Sequence, residues 1–268
     1  MSKLNLLFAV TLTFISTVGV ALEAATSPLP VFGTKSGSGI FLEKSIIGEN
    51  SLVDITTIRS DKAYDMALIV ARVETLDGSG FCSGSRIAED LFMTNYHCWE
   101  YGQDRVQFHM GYEKNANAAD QAIFKAIEVL AKSEHFDFAI YRVERKDLNA
   151  IDFPIAVLSK QQLEMSMQLL VPGHPAARTK EIDVSNACVL SRADSFDMHD
   201  RLNIQHQCDT EGGSSGSPIM DRQTGHVIGI HWGGSGGGPS NHGIPMTAIL
   251  QEVETNYPDL YSELTVLN

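Results

Sequence analysis

CDTEGGSSGSPIMD, residues 208–221, is the most informative segment of this chain. Two glycines precede Ser215, and a Gly-Ser-Pro turn after it leads into an apolar strand. A flexible linker has no need of the fixed turn that Pro218 imposes, so these residues are interpreted as a shaped loop. A serine that attacks a carbonyl needs backbone N–H donors aimed at the developing oxyanion, and glycine lets the backbone come close. Ser215 is therefore a candidate nucleophile, with the N–H groups of Gly213 and Ser215 as candidate oxyanion donors.

Two further segments supply the groups that such a serine requires. A hydroxyl becomes nucleophilic when a base takes its proton, and an imidazole base needs a carboxylate to fix its tautomer. In FCSGSRIAEDLFMTNYHC, residues 81–98, an apolar strand delivers His97, and in HFDFAIYRV, residues 135–143, Asp137 directly precedes another predicted strand. Each residue alone is more often structural. The chain order His97, Asp137, Ser215 differs from that of α/β-hydrolases and subtilisins, and it belongs to the chymotrypsin arrangement.

Short β-type runs, bounded by Gly, Pro, Asp and Asn, fill the chain from about Met66 onward. Runs this short and this regularly spaced predict an antiparallel sandwich or barrel. Near the C-terminus, MTAILQEVETNY, residues 246–257, carries apolar residues at helical spacing, which predicts one helix packed across a β core.

Several classes of function are excluded by composition and by missing motifs. The formal net charge of −13 repels phosphate backbones and anionic membranes, so no nucleic-acid partner and no membrane partner are expected. HExxH, GxxxxGK[ST] and CxxC are absent, so neither a metal site nor a nucleotide site is predicted. The chain is expected to work without a cofactor.

The N-terminal residues predict export. Lys3 precedes a mostly apolar run from Leu4 to Val20 and then small residues, which is the pattern of a signal peptide over residues 1–24. The alternative is a membrane anchor that is not cleaved. Residues 25–44 are rich in Pro, Gly, Ser and Thr and are interpreted as a linker or propeptide. We therefore expect a secreted protein, extracellular or periplasmic, whose folded domain spans residues 45–268.

Four cysteines allow three disulfide pairings in principle: Cys82, Cys98, Cys188 and Cys208. Export favours disulfides over buried free thiols. Pairing of nearest neighbours along the chain is the favoured arrangement.

Three segments resemble the signature segments of chymotrypsin-like serine proteases: SGSRIAEDLFMTNYHC, DFAIYRV and TEGGSSGSP. The resemblance spans roughly residues 45–256. The GxSGSP form of the serine motif, with GIHWGG at residues 229–234, is similar to the bacterial branch that includes the glutamyl endopeptidases. The chain is thus identified as a member of the chymotrypsin-like family. An endopeptidase that acts through an acyl-enzyme on peptide or protein substrates, commonly as a monomer, is what this resemblance implies.

The resemblance also implies an all-β fold with two six-stranded antiparallel β-barrels and a C-terminal helix. The barrels are expected over about residues 45–152 and 153–245, and the helix over about 246–257. The active site would lie in the cleft between the barrels. The family supports a Cys82–Cys98 bridge that clamps the strand bearing the catalytic histidine. A Cys188–Cys208 bridge would then close a loop in the second barrel.

Substrate choice in this family is governed by a pocket walled by residues 209–211 and 230–234, including Gly233. His231 and Thr210 match a histidine and a threonine with which glutamyl endopeptidases bind a substrate glutamate, and an imidazole with a hydroxyl suits a carboxylate. Asp209, however, stands six residues before the serine, the spacing at which trypsin-like enzymes bind Lys or Arg. We predict cleavage after Glu; cleavage after Lys or Arg is the alternative, and a non-catalytic binding protein is a third hypothesis.

The propeptide boundary follows from a shorter resemblance. SIIGEN, residues 45–50, resembles the mature start of several glutamyl endopeptidases and directly follows Lys44. Cleavage between Lys44 and Ser45 is therefore predicted to activate a zymogen. In some relatives the freed amine helps to bind the substrate carboxylate, and the same contribution is expected of Ser45.

Overall fold

The computed structural model of the chain describes residues 44–77, 81–103, 105–144, 153–197, 200–234 and 238–268. The predicted signal peptide, residues 1–24, and the predicted propeptide up to residue 43 lie outside these ranges. Within them, no helix combines the length and the apolar character needed to cross a bilayer.

The first half of the domain is a closed barrel of six antiparallel strands. In order around the barrel these are Val70–Thr75, Phe81–Arg86, Leu91–Thr94, Phe138–Val143, Ala122–Ser133 and Val106–Met110. Four of these strands each contribute one aromatic side chain to the centre of the barrel: Phe92, Phe108, Phe124 and Tyr141. The ring centroids lie 4.6 Å apart for Phe92 and Phe108 and 5.5 Å apart for Phe108 and Tyr141. This aromatic core makes the first barrel a rigid support for the residues at its rim.

The second half is built on a curled path of six strands. Their order is Leu169–Leu170, Pro218–Asp221, Val227–Gly234, Asn241–Pro245, Leu202–His206 and Leu190–Phe196. The two ends of the path meet through a single bridge between Gln168 and Val189, so this barrel closes less fully than the first. Two short parallel strands, Leu158–Ser159 and Val266–Leu267, extend the sheet. The predicted all-β chymotrypsin-like fold class is confirmed.

The predicted C-terminal helix forms over Met246–Asn256. Its buried residues include Met246, Ile249, Leu250 and Val253, the spacing that places one apolar stripe against a core. Other helices have no clear sequence signal and are short: Lys62–Ala67, Tyr96–Gly102 and Pro258–Tyr261, with 3₁₀ turns at Ile55–Ile58, Ala118–Asp120 and Pro175–Ala177.

The N-terminal segment, which we define as residues 44–54, packs on the second half although it precedes the first barrel in the chain. Its strand Lys44–Ser45 pairs with Thr210–Glu211, and Leu52–Asp54 pairs with Glu181–Asp183. This pairing brings the predicted processing site next to the segment that precedes Ser215.

Both disulfides predicted by nearest-neighbour pairing are present. Cys82–Cys98 joins the strand Phe81–Arg86 to the helix Tyr96–Gly102, and Cys188–Cys208 lies within the second half. The first disulfide therefore fixes the helix that carries His97.

Candidate active site

His97 and Asp137 are in direct contact. The imidazole Nδ1 lies 2.9 Å from Asp137 Oδ2, and the backbone N–H of His97 donates to Oδ1 at 3.0 Å. Asn95 donates from Nδ2 to the Asp137 carbonyl at 2.8 Å, which holds Asp137 in its left-handed conformation, φ 45°. A buried carboxylate in this position fixes the tautomer that carries a proton on Nδ1. His97 lies in the first turn of the helix Tyr96–Gly102, just beyond the strand that was predicted to deliver it.

Ser215 lies in a buried loop, residues 212–217, that is attached to the first barrel. Its carbonyl accepts the backbone N–H of Ser83 at 2.8 Å, and Cys98 Sγ lies 3.9 Å from the same oxygen. The hydroxyl of Ser215 donates to the Trp232 carbonyl at 3.4 Å. A hydrogen bond of that length is weak, and the hydroxyl can rotate to other acceptors. The loop of Ser215 is therefore fixed through its backbone to Ser83 and lies against the disulfide that holds the His97 helix, whereas the Ser215 hydroxyl is only loosely held.

The amides around Ser215 divide into two groups. Three of them donate to backbone carbonyls at 2.9 Å: Ser214, Gly216 and Ser217. The N–H groups of Gly213 and Ser215 donate to no backbone carbonyl of the described residues. Gly213 has φ 98°, and a Cβ there would overlap the Phe81 ring, so only glycine fits. Both amides predicted as oxyanion donors are therefore without a backbone acceptor in the part of the chain that the structure describes.

Asp209 is engaged by the N-terminal segment. Its carboxylate accepts the backbone N–H of Ile47 through Oδ1 and of Ser51 through Oδ2, each at 2.7 Å. The Asp209 N–H donates to Asp183 Oδ2 at 3.0 Å. Burial raises the pKa of the Asp209 carboxyl, and the two backbone hydrogen bonds oppose this shift. Both oxygens of Asp209 are thus used to fold the chain's own N-terminal segment.

Thr210 and His231 are both almost completely buried. The Thr210 hydroxyl has no hydrogen-bond partner among the described residues, which is costly for a buried polar group. His231 Nδ1 lies 3.1 Å from His206 Nε2. The Thr210 hydroxyl is therefore available to a ligand, whereas one ring nitrogen of His231, Nδ1, already contacts a second histidine.

Sequence reasoning missed His206, which lies on the strand Leu202–His206 and carries no motif of its own. Burial, with a smaller contribution from nearby His242, lowers its pKa to about 3. Burial also lowers the pKa of His231 well below its usual value, with smaller contributions from His206, His242 and His97. Both imidazoles are therefore neutral near pH 7.

Ser45 lies between two walls of the predicted specificity pocket. It pairs with Thr210 on one side, and on the other a Cβ at Gly234 would overlap the Ser45 hydroxyl. Asn241 Nδ2 donates to the Ser45 carbonyl at 2.8 Å. The predicted pocket residue Gly233 faces open space, since a Cβ at this position would meet no atom within 4 Å. Gly234, which also belongs to the predicted pocket wall, is the glycine that makes room for Ser45.

One group of possible metal ligands lies near the site, formed by Cys82, His97 and Cys98. Both sulfur atoms are bonded to each other, so the group offers no thiolate ligand. These residues do not fit a zinc or iron–sulfur centre.

A family model described as a trypsin-like peptidase domain matches residues 78–230. This is more than half of the chain, and the chain therefore belongs to the trypsin-like peptidase family. The match confirms the peptidase family expected from the sequence. The matched range contains all three residues of the predicted triad and both disulfides.

Individual relatives are more distant. A glutamyl endopeptidase of Staphylococcus aureus strain MRSA252 is 24% identical over 169 residues, which cover 61% of this chain and 45% of the relative. The chain spans about half the length of the curated relatives it matches. Among solved structures, a Glu endopeptidase in complex with MPD has a TM-score of 0.60 at 19% identity, covering 80% of this chain and 99% of that one. Deg5 has a TM-score of 0.56 at 17% identity, covering 76% and 98%. These structural likenesses show the fold alone.

Proposed function

We propose that the protein is a secreted serine endopeptidase in which Ser215 is the nucleophile, His97 the general base and Asp137 the group that orients it. The observation that carries this proposal is the contact of the partly buried His97 with the buried Asp137, with 2.9 Å between Nδ1 and Oδ2. The Cys82–Cys98 disulfide and the Ser83–Ser215 backbone hydrogen bond hold that pair beside the serine loop. Export is supported by the signal-peptide pattern and by two disulfides.

In the proposed reaction the Ser215 hydroxyl attacks the scissile carbonyl and its proton passes to His97. The carbonyl oxygen becomes negatively charged and accepts the N–H groups of Gly213 and Ser215. His97 then returns the proton to the leaving amine, and an acyl-enzyme remains on Ser215. Water activated by His97 hydrolyses that ester and restores the free serine.

Glutamate is the proposed residue on the acyl side of the scissile bond. The Thr210 hydroxyl, which has no partner among the described residues, would be satisfied by a substrate carboxylate. His231 Nδ1 is engaged by His206, so the proposal assigns the second contact of that carboxylate to the other ring nitrogen, Nε2. A carboxylate beside His231 would also raise the pKa of that imidazole and favour its charged form. A pocket built from such donors discriminates against side chains that lack the acceptor.

Cleavage after Lys or Arg, the alternative that rested on Asp209, has less support. A substrate cation needs a carboxylate that faces it, and both Asp209 oxygens already accept backbone N–H groups of the N-terminal segment. The curated relatives named glutamyl endopeptidase favour the same choice.

Processing between Lys44 and Ser45 completes the proposal. The new amine at Ser45 would lie on the strand that pairs with Thr210 and against Gly234. A positive charge there would attract a substrate carboxylate and would be absent from the unprocessed chain.

The test is digestion of a peptide library by the purified processed protein, with Ser215→Ala as the control. Cuts after Glu that disappear in the control support the proposal. Cuts after Lys or Arg would contradict the glutamate pocket and assign it to Asp209. No cuts, together with no labelling of Ser215 by a fluorophosphonate, would favour a non-catalytic binding protein.

A further inference from the structure

Ser83 forms hydrogen bonds to three segments around the proposed active site: the loop of Ser215, the strand that ends at Thr94, and the segment at His174. It lies on the strand Phe81–Arg86 and is completely buried. Its N–H donates to the Ser215 carbonyl at 2.8 Å, and its carbonyl accepts the Thr94 hydroxyl at 2.7 Å. The strand that leads to His97 and the loop that carries Ser215 therefore meet at one residue of the first barrel.

The side chain of Ser83 makes a second set of contacts. Its hydroxyl donates to the Gly213 carbonyl at 2.9 Å and accepts the backbone N–H of His174 at 2.9 Å. A serine hydroxyl has a single O–H to donate, and here it is given to Gly213. Backbone contacts alone could be made by any residue on this strand, but the contact to Gly213 depends on the hydroxyl.

That contact acts on the peptide group next to the proposed oxyanion donor. The Gly212 carbonyl is held by the Ala176 N–H at 2.6 Å, and the N–H of Gly213 points away from that carbonyl because the peptide is planar. On the other side of the Gly213 Cα, the carbonyl of Gly213 is held by Ser83. Both peptide groups that flank this glycine are thus fixed. Glycine has a wide range of backbone angles, so a residue in this place needs such restraint.

We propose that the Ser83 hydroxyl is a positioning group for the oxyanion hole: it holds the Gly213 carbonyl and so fixes the backbone on one side of the Gly213 Cα, which keeps the N–H on the other side facing the reacting carbonyl. The inference rests on the proposed function, since it presumes that Gly213 is an oxyanion donor. Ser83 itself is proposed to touch neither substrate nor reacting atoms. Its hydroxyl acts on the oxyanion hole through Gly213, whose carbonyl accepts its single proton.

Ser83→Ala removes the hydroxyl, and Ser85→Ala is its matched control. Ser85 lies two residues further along the same strand, is equally buried, and its hydroxyl has no hydrogen-bond partner among the described residues. We expect Ser83→Ala to lower kcat about 10- to 100-fold with KM little changed, less than the loss of an oxyanion donor itself, ~10²–10³. Ser85→Ala should keep both constants.

A peptide aldehyde ending in glutamate separates positioning from general damage. Ser215 Oγ adds to the aldehyde carbon, the C=O becomes a C–O single bond, and the serine proton passes to His97 and on to the new oxygen. That oxygen occupies the oxyanion hole. Ser83→Ala should weaken binding of the aldehyde by the same factor by which it lowers kcat. It should leave binding of the corresponding peptide alcohol unchanged, since the alcohol forms no adduct. Equal weakening of both ligands would overturn the inference.

Hydrogen exchange of the amides of residues 212–216 gives a readout that needs no catalysis. We expect faster exchange in Ser83→Ala than in Ser85→Ala and the wild type. Unchanged exchange and unchanged kcat in Ser83→Ala would overturn the inference, as would equal losses in the two variants. A wild-type protein that cleaves no peptide would instead contradict the proposed function, and the exchange rates would still decide whether Ser83 holds the loop.

Discussion

The carboxylate of Asp209 and the backbone of Ile47 are joined by a hydrogen bond of 2.7 Å, although 162 residues separate them in the chain. A second bond of the same length reaches Ser51. Residues 47–51 turn around the Asp209 side chain. Ser45, two residues before Ile47, pairs with Thr210 of the proposed pocket. Asp209 thus supports the proposed pocket indirectly, through the N-terminal segment.

Asp209→Asn is predicted to lower cleavage after Glu without altering which residue is preferred. The amide keeps one acceptor but presents an NH₂ group to a backbone N–H, so at least one of the two bonds is lost. Ser45 and Thr210 are then held less firmly, and we expect KM for glutamyl substrates to rise about tenfold, the equivalent of one lost hydrogen bond of about 1.4 kcal/mol. Steady-state kinetics on matched Glu, Lys and Arg peptides measure the effect.

Asp194→Asn, at an exposed position of the second half, is the control for loss of one negative charge. It should leave KM within twofold of the wild type. Wild-type cleavage after Lys that vanishes in Asp209→Asn would show that Asp209 faces the substrate after all.

The segments that contain the proposed catalytic residues could be predicted from the sequence, because the residues that position each group are its neighbours in the chain. The glycines and the proline around Ser215, and the apolar strand before His97, lie within a few residues of the groups they position. The Asp209 contacts were not accessible, since their donors are backbone N–H groups that any residue supplies. Lys180 was equally hidden: it is completely buried, donates to the Ala67 carbonyl at 3.1 Å, and burial lowers its pKa to about 8. No pattern in its neighbourhood distinguishes it from a surface lysine.

The helix at His97 shows a related limit. Asn95 is an ordinary N-cap residue by type, but its side chain makes no capping bond and donates to the Asp137 carbonyl instead. A cap signal read from sequence presumes a local partner. Here the partner is 42 residues away, and a strand end was predicted where a helix begins.

The buried histidine pair is predicted to make folding stability fall in acid. The pKa of His206 is about 3 in the folded protein, against about 6.5 in the unfolded chain, so the unfolded chain takes up the proton first as pH falls. Its contribution is fully present above pH 6.5 and is lost between about pH 6.5 and 3, with a slope of about 1.4 kcal/mol per pH unit. Urea unfolding at pH 7.5 and pH 5 measures it.

His206→Gln should reduce the difference in unfolding free energy between the two pH values. The exposed residue His135 supplies the comparison, and His135→Gln should retain the full difference. Identical pH dependence in both variants would contradict a buried neutral His206.

The two disulfides are predicted to differ in their effect on catalysis but not on stability. Their sequence separations are 16 and 20, so each should stabilise the fold by about 3 kcal/mol through the unfolded chain. Only Cys82–Cys98 fixes the helix of His97 beside the Ser215 carbonyl. We expect the Cys82→Ala/Cys98→Ala double variant to lose kcat at temperatures where it is still folded, and the Cys188→Ala/Cys208→Ala variant to keep it. Equal kcat losses at equal folded fraction would show that neither disulfide positions the base.

Gly234 and Gly233 are adjacent in the chain, but only a side chain at Gly234 would meet neighbouring atoms. A methyl group at Gly234 would overlap the Ser45 hydroxyl and Asn241 Oδ1, whereas one at Gly233 would meet no atom within 4 Å. Gly234→Ala should therefore lower the free energy of unfolding by about 1–3 kcal/mol, the range for overpacking, and Gly233→Ala by no more than about 0.5 kcal/mol. Displacement of Ser45 should also raise KM for glutamyl peptides in Gly234→Ala after processing. If Gly234→Ala is as stable as Gly233→Ala and keeps its KM, then Ser45 does not occupy the space between Thr210 and Gly234, and the proposed role of its amine fails with it.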